Sequence, residues 1–355
     1  LEAEAASSRH DAHRAASLMT VAELYLSRFD DAERAIAALR RVLARSPFHE
    51  QAAARLEQLL VQREGWEELV EVVRERLEAA AQGAQPESGS AIQARIELLV
   101  RMAWIQREHL RQPTEALATL KKAAQLDPHH VSTLLTLSEL QVASGRHREA
   151  AESLERVVTL SDDPDLLFRA HGQLAELFAE HLDDPRRAIS SYQSVLAIAP
   201  KDRGALGHLQ RLFRDVGDWD NAADIVGRLL ELERDAERQV EYTVALAEIA
   251  EQGFGDPEQA ADRYYDALEI DPGNEQVVDR LLDLLGQLGR WERLCAALRS
   301  YLAALPEEQQ LRSTSRRMQL AEILHRHLAR PAEALEQLQA VVEIDPTDIR
   351  ARLAS

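Results

Sequence analysis

The chain has 355 residues, a length for two or three ordinary domains, yet aromatics are only 5% while hydrophobic residues counted with Ala reach 45%. That mixture describes thin helix-on-helix packing rather than a bulky sheet core, and 29% charged residues argue against wholesale disorder. A net charge of −19, from 42 basic and 61 acidic residues, repels nucleic-acid phosphate, and no run of about 18 apolar residues is present to span a membrane.

Only Lys121, Lys122 and Lys201 are lysines, and heavy Arg use with much Ala points to a GC-rich, bacterial genome. The single cysteine, Cys295, excludes an internal disulfide and a Cys-based metal site. A cytoplasmic protein fits this usage, and a disulfide-free periplasmic protein would look the same. The chain opens on Leu1 rather than Met, which leaves a removed signal peptide open as well.

Taken in chain order, a short pattern recurs before many amphipathic stretches. One version reads FDDAERA (Phe29 to Ala35), LRQPTEA (Leu110 to Ala116), LDDPRRA (Leu182 to Ala188), FGDPEQA (Phe254 to Ala260) and LARPAEA (Leu328 to Ala334). A second reads REGWEEL (Arg63 to Leu69), SGRHREA (Ser144 to Ala150), VGDWDNA (Val216 to Ala222) and LGRWERL (Leu288 to Leu294). The final residues of successive copies are 34, 47, 34, 38, 34, 38, 34 and 40 residues apart. The step of 34 always runs from the first version to the second, so the chain is a series of double units, each with two related hairpins.

The stretches after these marks have helical periodicity, as in Ala188, Tyr192, Val195 and Leu196. Twelve residues past each first-version mark stands Pro47, Pro128, Pro200, Pro272 or Pro346, where proline stops a helix. Pro113, Pro185, Pro257 and Pro331 sit in turns that open second helices, where a missing N–H costs little. Pro306 ends a second-version helix, and Pro86 and Pro164 fall in the longer linkers. The expected hairpins run 9–47, 48–81, 90–128, 129–162, 164–200, 201–234, 235–272, 273–306 and 308–346. A flexible linker is expected at 82–90 and the start of a further helix at 347–355.

This pattern resembles the tetratricopeptide repeat family over about Arg14 to the C-terminus. The resemblance lies in the 34-residue step, the small residue at the mark, Leu39, Leu120, Tyr192, Tyr264 or Leu338 four later, and the proline twelve later. The family's small position in the first helix falls on Ala22, Ala103, Ala175, Ala247 and Ala321, and its leucine on Leu56, Leu137, Leu209 and Leu281. The family's early tryptophan is absent, the second-version repeats mostly lack the closing proline, and first-version turns are one residue longer. The resemblance implies an all-α fold: one α-solenoid over 1–355, a right-handed superhelix of about nine helix-turn-helix repeats. Two thin helices alone bury too little to offset the entropy of ordering them, so each hairpin has to stack on its neighbours.

Searching for chemistry yields little. There is no Gly-rich phosphate loop, no G-x-S-x-G elbow and no H-E-x-x-H. The pairs Asp30–Asp31, Asp162–Asp163 and Asp183–Asp184 precede helix starts and read as caps rather than as an acid–base couple. Cys295, beside apolar positions, reads as a buried structural thiol. His10 and His13 share a helix face without a visible third ligand, and the remaining histidines show no metal spacing. Trp66, Trp219 and Trp291 hold one equivalent place before second helices and read as packing staples. No catalytic, cofactor-binding or metal set emerges, so the sequence suggests no enzyme and no cofactor.

What remains is a binding surface. The resemblance implies a concave groove lined by first helices that takes an extended peptide or a protein surface. Its main position, one residue beyond the small one, falls on Glu23, Gln58, Trp104, Glu139, Glu176, Arg211, Glu248, Asp283 and Glu322. Most of these are carboxylates, unlike the Asn, Lys and Arg of the family's clamp for a C-terminal carboxylate, so a basic segment is the expected partner. Trp104 is an exposed anchor or packs on its neighbour, and Arg211 with Arg214 is the one basic spot, suited to a partner carboxylate. The leading expectation is a non-catalytic scaffold that binds a partner protein or peptide. The alternative is the sensor or regulatory arm of a larger bacterial signalling protein whose effector lies outside this chain. The array reads as a piece of a longer one, with no polar capping helix at its end, and its open ends suit association between copies.

Overall fold

The computed structural model describes residues 2–82, 89–306 and 310–345, and among them every regular element is a helix. Contacts divide the chain into two compact units, Leu1–Asp183 and Asp184–Ser355. In the first unit, α1 (Glu2–Arg28) pairs with α2 (Ala32–Arg45), α5 (Gly89–Glu108) with α6 (Pro113–Leu126), and α7 (Val131–Ala143) with α8 (His147–Leu160). Between them lie α3 (Glu50–Gln62) and α4 (Trp66–Gln82), a looser pair in which α4 also leans on α2. The unit closes with α9 (Pro164–Glu176), which runs on into a π-helical turn, Leu177–His181.

The second unit opens with α10 (Pro185–Ile198), packed on α11 (Arg203–Val216), which pairs with α12 (Trp219–Leu232). Next come α13 (Ala236–Glu248), also extended by a π-helical turn, Ile249–Gly253, and its partner α14 (Pro257–Ile270). The pairs α15 (Glu275–Gln287) with α16 (Trp291–Ala304), and α17 (Gln310–Arg326) with α18 (Pro331–Ile344), complete it. Within each unit a helix packs almost wholly on its chain neighbours, so the fold is an all-α solenoid. The tip of the expected linker, 83–88, and the segment 346–355 lie outside the described residues. Pro164, expected in a linker, is instead the first residue of α9. It follows Asp163, whose carboxylate accepts the Asp165 N–H, and at that position the absent proline N–H had no helical partner to lose.

The alanines explain how such slender helices form a core. Ala22, Ala103, Ala175, Ala247 and Ala321 on the first helices are all buried, and so are the marks Ala35, Ala116, Ala150, Ala188, Ala222, Ala260 and Ala334. A methyl group at each place lets backbones approach, while Leu39, Leu120, Tyr192 and Tyr264, buried one turn later, fill the space that remains.

The two turn versions differ in their hydrogen bonds. In second-version turns the N–H five residues on reaches back to a helix carbonyl: Gly65 to Leu60, Arg146 to Gln141, Asp218 to Phe213 and Arg290 to Leu285. In first-version turns the reach is one residue longer: Asp31 to Tyr25, Gln112 to Gln106, Asp256 to Ala250 and Arg330 to Leu324. The left-handed residue two before the helix start is common to both versions, with φ of 49° at Asp30, 53° at Arg111, 51° at Asp183, 62° at Gly255 and 53° at Ala329 in the first, and 56° at Glu64, 71° at Gly145, 76° at Gly217 and 66° at Gly289 in the second. The second Asp of each expected pair does cap: Asp31 accepts from the Arg34 N–H, and Asp184 from the Arg187 N–H at 3.1 Å. In Asp30–Asp31 and Asp183–Asp184 the first Asp supplies the left-handed residue, a conformation Asp tolerates better than most residues.

Hairpins are fastened to one another by two recurring contacts that the sequence alone did not reveal. The ring opening each second-version helix stacks on the end of the following first-version helix. Trp66 lies on His109 with centroids 3.5 Å apart, His147 on His181 at 3.9 Å, and Trp291 on His327 at 3.7 Å. At the fourth place Trp219 covers Gly253, so closely that a Cβ on the glycine would fall 2.5 Å from the indole ring. Further along three of these helices, an arginine donates to the carbonyl of the preceding stop proline: Arg76 to Pro47 at 2.6 Å, Arg156 to Pro128, and Arg228 to Pro200 at 2.8 Å.

Two stability predictions follow from these contacts. Gly253→Ala forces the Trp219 ring aside and should cost about 1–3 kcal/mol in denaturant unfolding. The loss should shrink when Trp219→Ala is added, because the two changes share one contact. Ala329→Gly relieves a left-handed alanine that is exposed and should raise stability by about 1 kcal/mol in the same measurement.

Candidate functional site

The first helices carry the residues the sequence marked for binding, and the structure gives these residues unequal roles. In the first unit, Glu23 on α1 lies near Arg55 of α3 in a shallow hollow floored by Met19 and Leu26. Gln58 accepts from Arg55 Nη1 at 2.7 Å. Trp104 is 38% exposed; the Arg101 guanidinium lies 4.6 Å from its ring centre and the His109 ring meets its edge at 4.9 Å. Both contacts come from α5 itself and the turn that follows it. Arg101 also pairs with Glu57 of α3. Glu139 on α7 stands 3.9 Å from Arg107 of α5. Glu176, exposed at the end of α9, enters no ion pair among the described residues.

In the second unit, Arg211 faces the ring of His208 at 3.2 Å, and His208 itself stacks on Tyr192 with centroids 4.9 Å apart. Arg214 binds Glu248 of α13 at 3.1 Å, joining two first helices and pairing one carboxylate of the expected trough. Glu322 pairs with Arg326 one turn along α17 at 2.6 Å. Asp283 on α15 has no ion pair among the described residues. The expected row of carboxylates is thus half neutralised: Glu139, Glu248 and Glu322 have cationic neighbours, while Glu23, Glu176 and Asp283 have none within ion-pair distance among the described residues.

A second set of carboxylates escaped the sequence reading. Glu237 and Glu241 stand one turn apart on α13, exposed, with Glu248 two turns further along the same face. They overlook a cleft between α13 and the start of α15 that includes the buried Tyr264 of α14. Burial pushes the Tyr264 phenol up from its usual range, and its bond to Arg280 pushes the guanidinium up in turn. The signal was present in the spacing of Glu237, Glu241 and Glu248, but one position per repeat was too narrow a rule to find it.

Cys295 is buried, as expected, and burial raises its thiol pKa, which holds it protonated. No three His, Cys, Asp or Glu side chains among the described residues come together as a metal site, and His10 and His13 lie outside the residues whose side chains are described. No helix of the described residues is long and apolar enough to cross a membrane.

Comparison with known proteins agrees with this architecture. Two family models, each described as tetratricopeptide repeat, match residues 110–174 and 201–354. No curated protein matches. Among solved structures, the chain is similar to the MamA protein at 22% identity, over 50% of this chain and 91% of that one, with a TM-score of 0.37. It is also similar to a tetratricopeptide repeat protein from Parabacteroides merdae, at 17% identity over 73% and 96% of the two chains, with a TM-score of 0.35. YrrB, a TPR protein with an unusual peptide-binding site, is 15% identical over 75% and 95%, with a TM-score of 0.30. With its 34-residue hairpins, its buried alanine positions and the two matching models, the chain belongs to the tetratricopeptide repeat family.

Proposed function

We propose that this chain is a non-catalytic scaffold whose first helices receive a partner protein or peptide, with a basic segment as the favoured ligand. Tetratricopeptide repeat proteins bind protein partners, and each unit of this chain offers a helical surface of that kind. The observation that carries the charge preference is the set Glu23, Glu176 and Asp283, which stand on first helices without an ion pair among the described residues. Such carboxylates lose little on meeting Lys or Arg, because no internal partner has to be displaced. In a chain of net charge −19 they also draw a cationic segment in from solution.

The test uses the intact chain. A partner captured from a cell extract is purified, its binding is reconstituted from the two components, and affinity is measured across a salt series. Glu176→Lys with Asp283→Lys should weaken binding by about tenfold or more at low salt, with the loss fading as salt rises. Equal affinity of variant and parent at every salt concentration would remove these carboxylates from the binding account. A variant of Arg214 should behave differently: Arg214→Ala frees Glu248 and should strengthen, not weaken, the hold on a basic partner at low salt.

A further inference from the structure

The cleft between α13 and α15 has a composition that single positions on the first helices do not show. It has a volume of about 760 Å³ and lies wholly inside the second unit. Its lining includes Val240, Val244, Tyr264, Ile270 and Val277, an apolar floor contributed by three helices. Its walls carry Glu237, Glu241 and Glu248 from α13 and Asp271 from the turn before α15. The one cation lining it is Arg280, which is already engaged by the Tyr264 phenol and lies 3.7 Å from Glu251. Glu248 is held by Arg214, and Asp271 accepts the Gly273 N–H at 3.2 Å. Glu237 and Glu241 have no ion pair among the described residues and face the cleft mouth as open acceptors.

Val244 and Ile270 stay partly exposed over the buried Val240, Tyr264 and Val277, apolar surface that is costly to hydrate, and the carboxylates around it outnumber the lining cation Arg280. We propose that this cleft is a docking site for a segment of a partner protein that places an aliphatic side chain on the floor between Val244 and Val277, flanked by Lys or Arg paired with Glu237 and Glu241. This deepens the scaffold reading and rests on it, naming one place and one partner chemistry. The aliphatic anchor gains from burial, the flanking cations gain from carboxylates that need not give up an internal partner, and an acidic or purely polar segment gains neither. A polyanion is repelled.

The experiment uses the full chain and short fluorescein-labelled probe peptides, read by fluorescence polarisation. One probe carries Leu and Lys at helical spacing; two controls replace every Leu by Ser or every Lys by Glu. The Leu–Lys probe should bind, and both controls should bind at least about tenfold more weakly. Glu237→Lys with Glu241→Lys should weaken the Leu–Lys probe by about tenfold or more, whereas Asp224→Lys with Glu231→Lys, the same charge change on exposed positions of α12, should leave it within about twofold. Absence of binding, equal binding of the Ser–Lys probe, or equal losses from the two charge-reversed pairs would each overturn the docking site. If the cleft variant still captures the partner used for the scaffold test with unchanged affinity, the cleft is wrong and the scaffold stands; if neither the partner nor the probe binds the parent chain, both fall.

Discussion

Close approach of helix backbones at alanine is the constraint on which this molecule rests. At Ala22, Ala103, Ala175, Ala247 and Ala321 nothing larger than a methyl group stands between a first helix and its neighbours, and these residues are all but sealed from solvent. Cores of this kind gain little from any single side chain. They gain from repetition, since each hairpin presents one face to the hairpin before it and another to the hairpin after. The stacked rings and the arginines on proline carbonyls act at the same seams, tying second helices to what precedes and follows them. Burial and polar contacts therefore reinforce the same register, which gives a chain poor in aromatics a defined architecture.

Much of this was legible beforehand because it is periodic. Prolines at a fixed offset from an alanine, with leucine or tyrosine one turn later, report helix ends and helix faces directly, and Pro47, Pro128 and Pro200 all lie just beyond helices as read. Pro164 was misplaced because a proline that opens a helix and one that lies in a linker look alike until the capping Asp163 is seen. The histidines were opaque for another reason. His109, His181 and His327 each sit one residue before the leucine of a first-version turn, but only tertiary packing shows that a ring 34 to 43 residues earlier lies on them.

The sequence names the candidate surface by position, and the structure adds which of its charges have partners. Counting carboxylates on first helices treats each as free, but a side chain near an adjacent first helix meets whatever that helix offers. Glu248 meets Arg214 and Glu139 meets Arg107, contacts between residues 34 and 32 positions apart that single-repeat reasoning does not reach. Glu237 and Glu241 line the cleft between α13 and α15 and have no ion pair among the described residues.

The seam between Trp219 and Gly253 has a bearing on how a chain like this changes length. Ring on ring and ring on bare backbone solve the same geometric problem, and in every copy the covering ring and the residue beneath it belong to consecutive double units. The marks Ala116, Ala188 and Ala260 repeat every 72 residues, so duplicating or deleting one whole period rejoins a covering ring to a residue of the matching kind or nearly so. Growth by that period keeps each clasp closed, whereas gaining a single second-version hairpin would leave one covering ring with no first-version end beneath it.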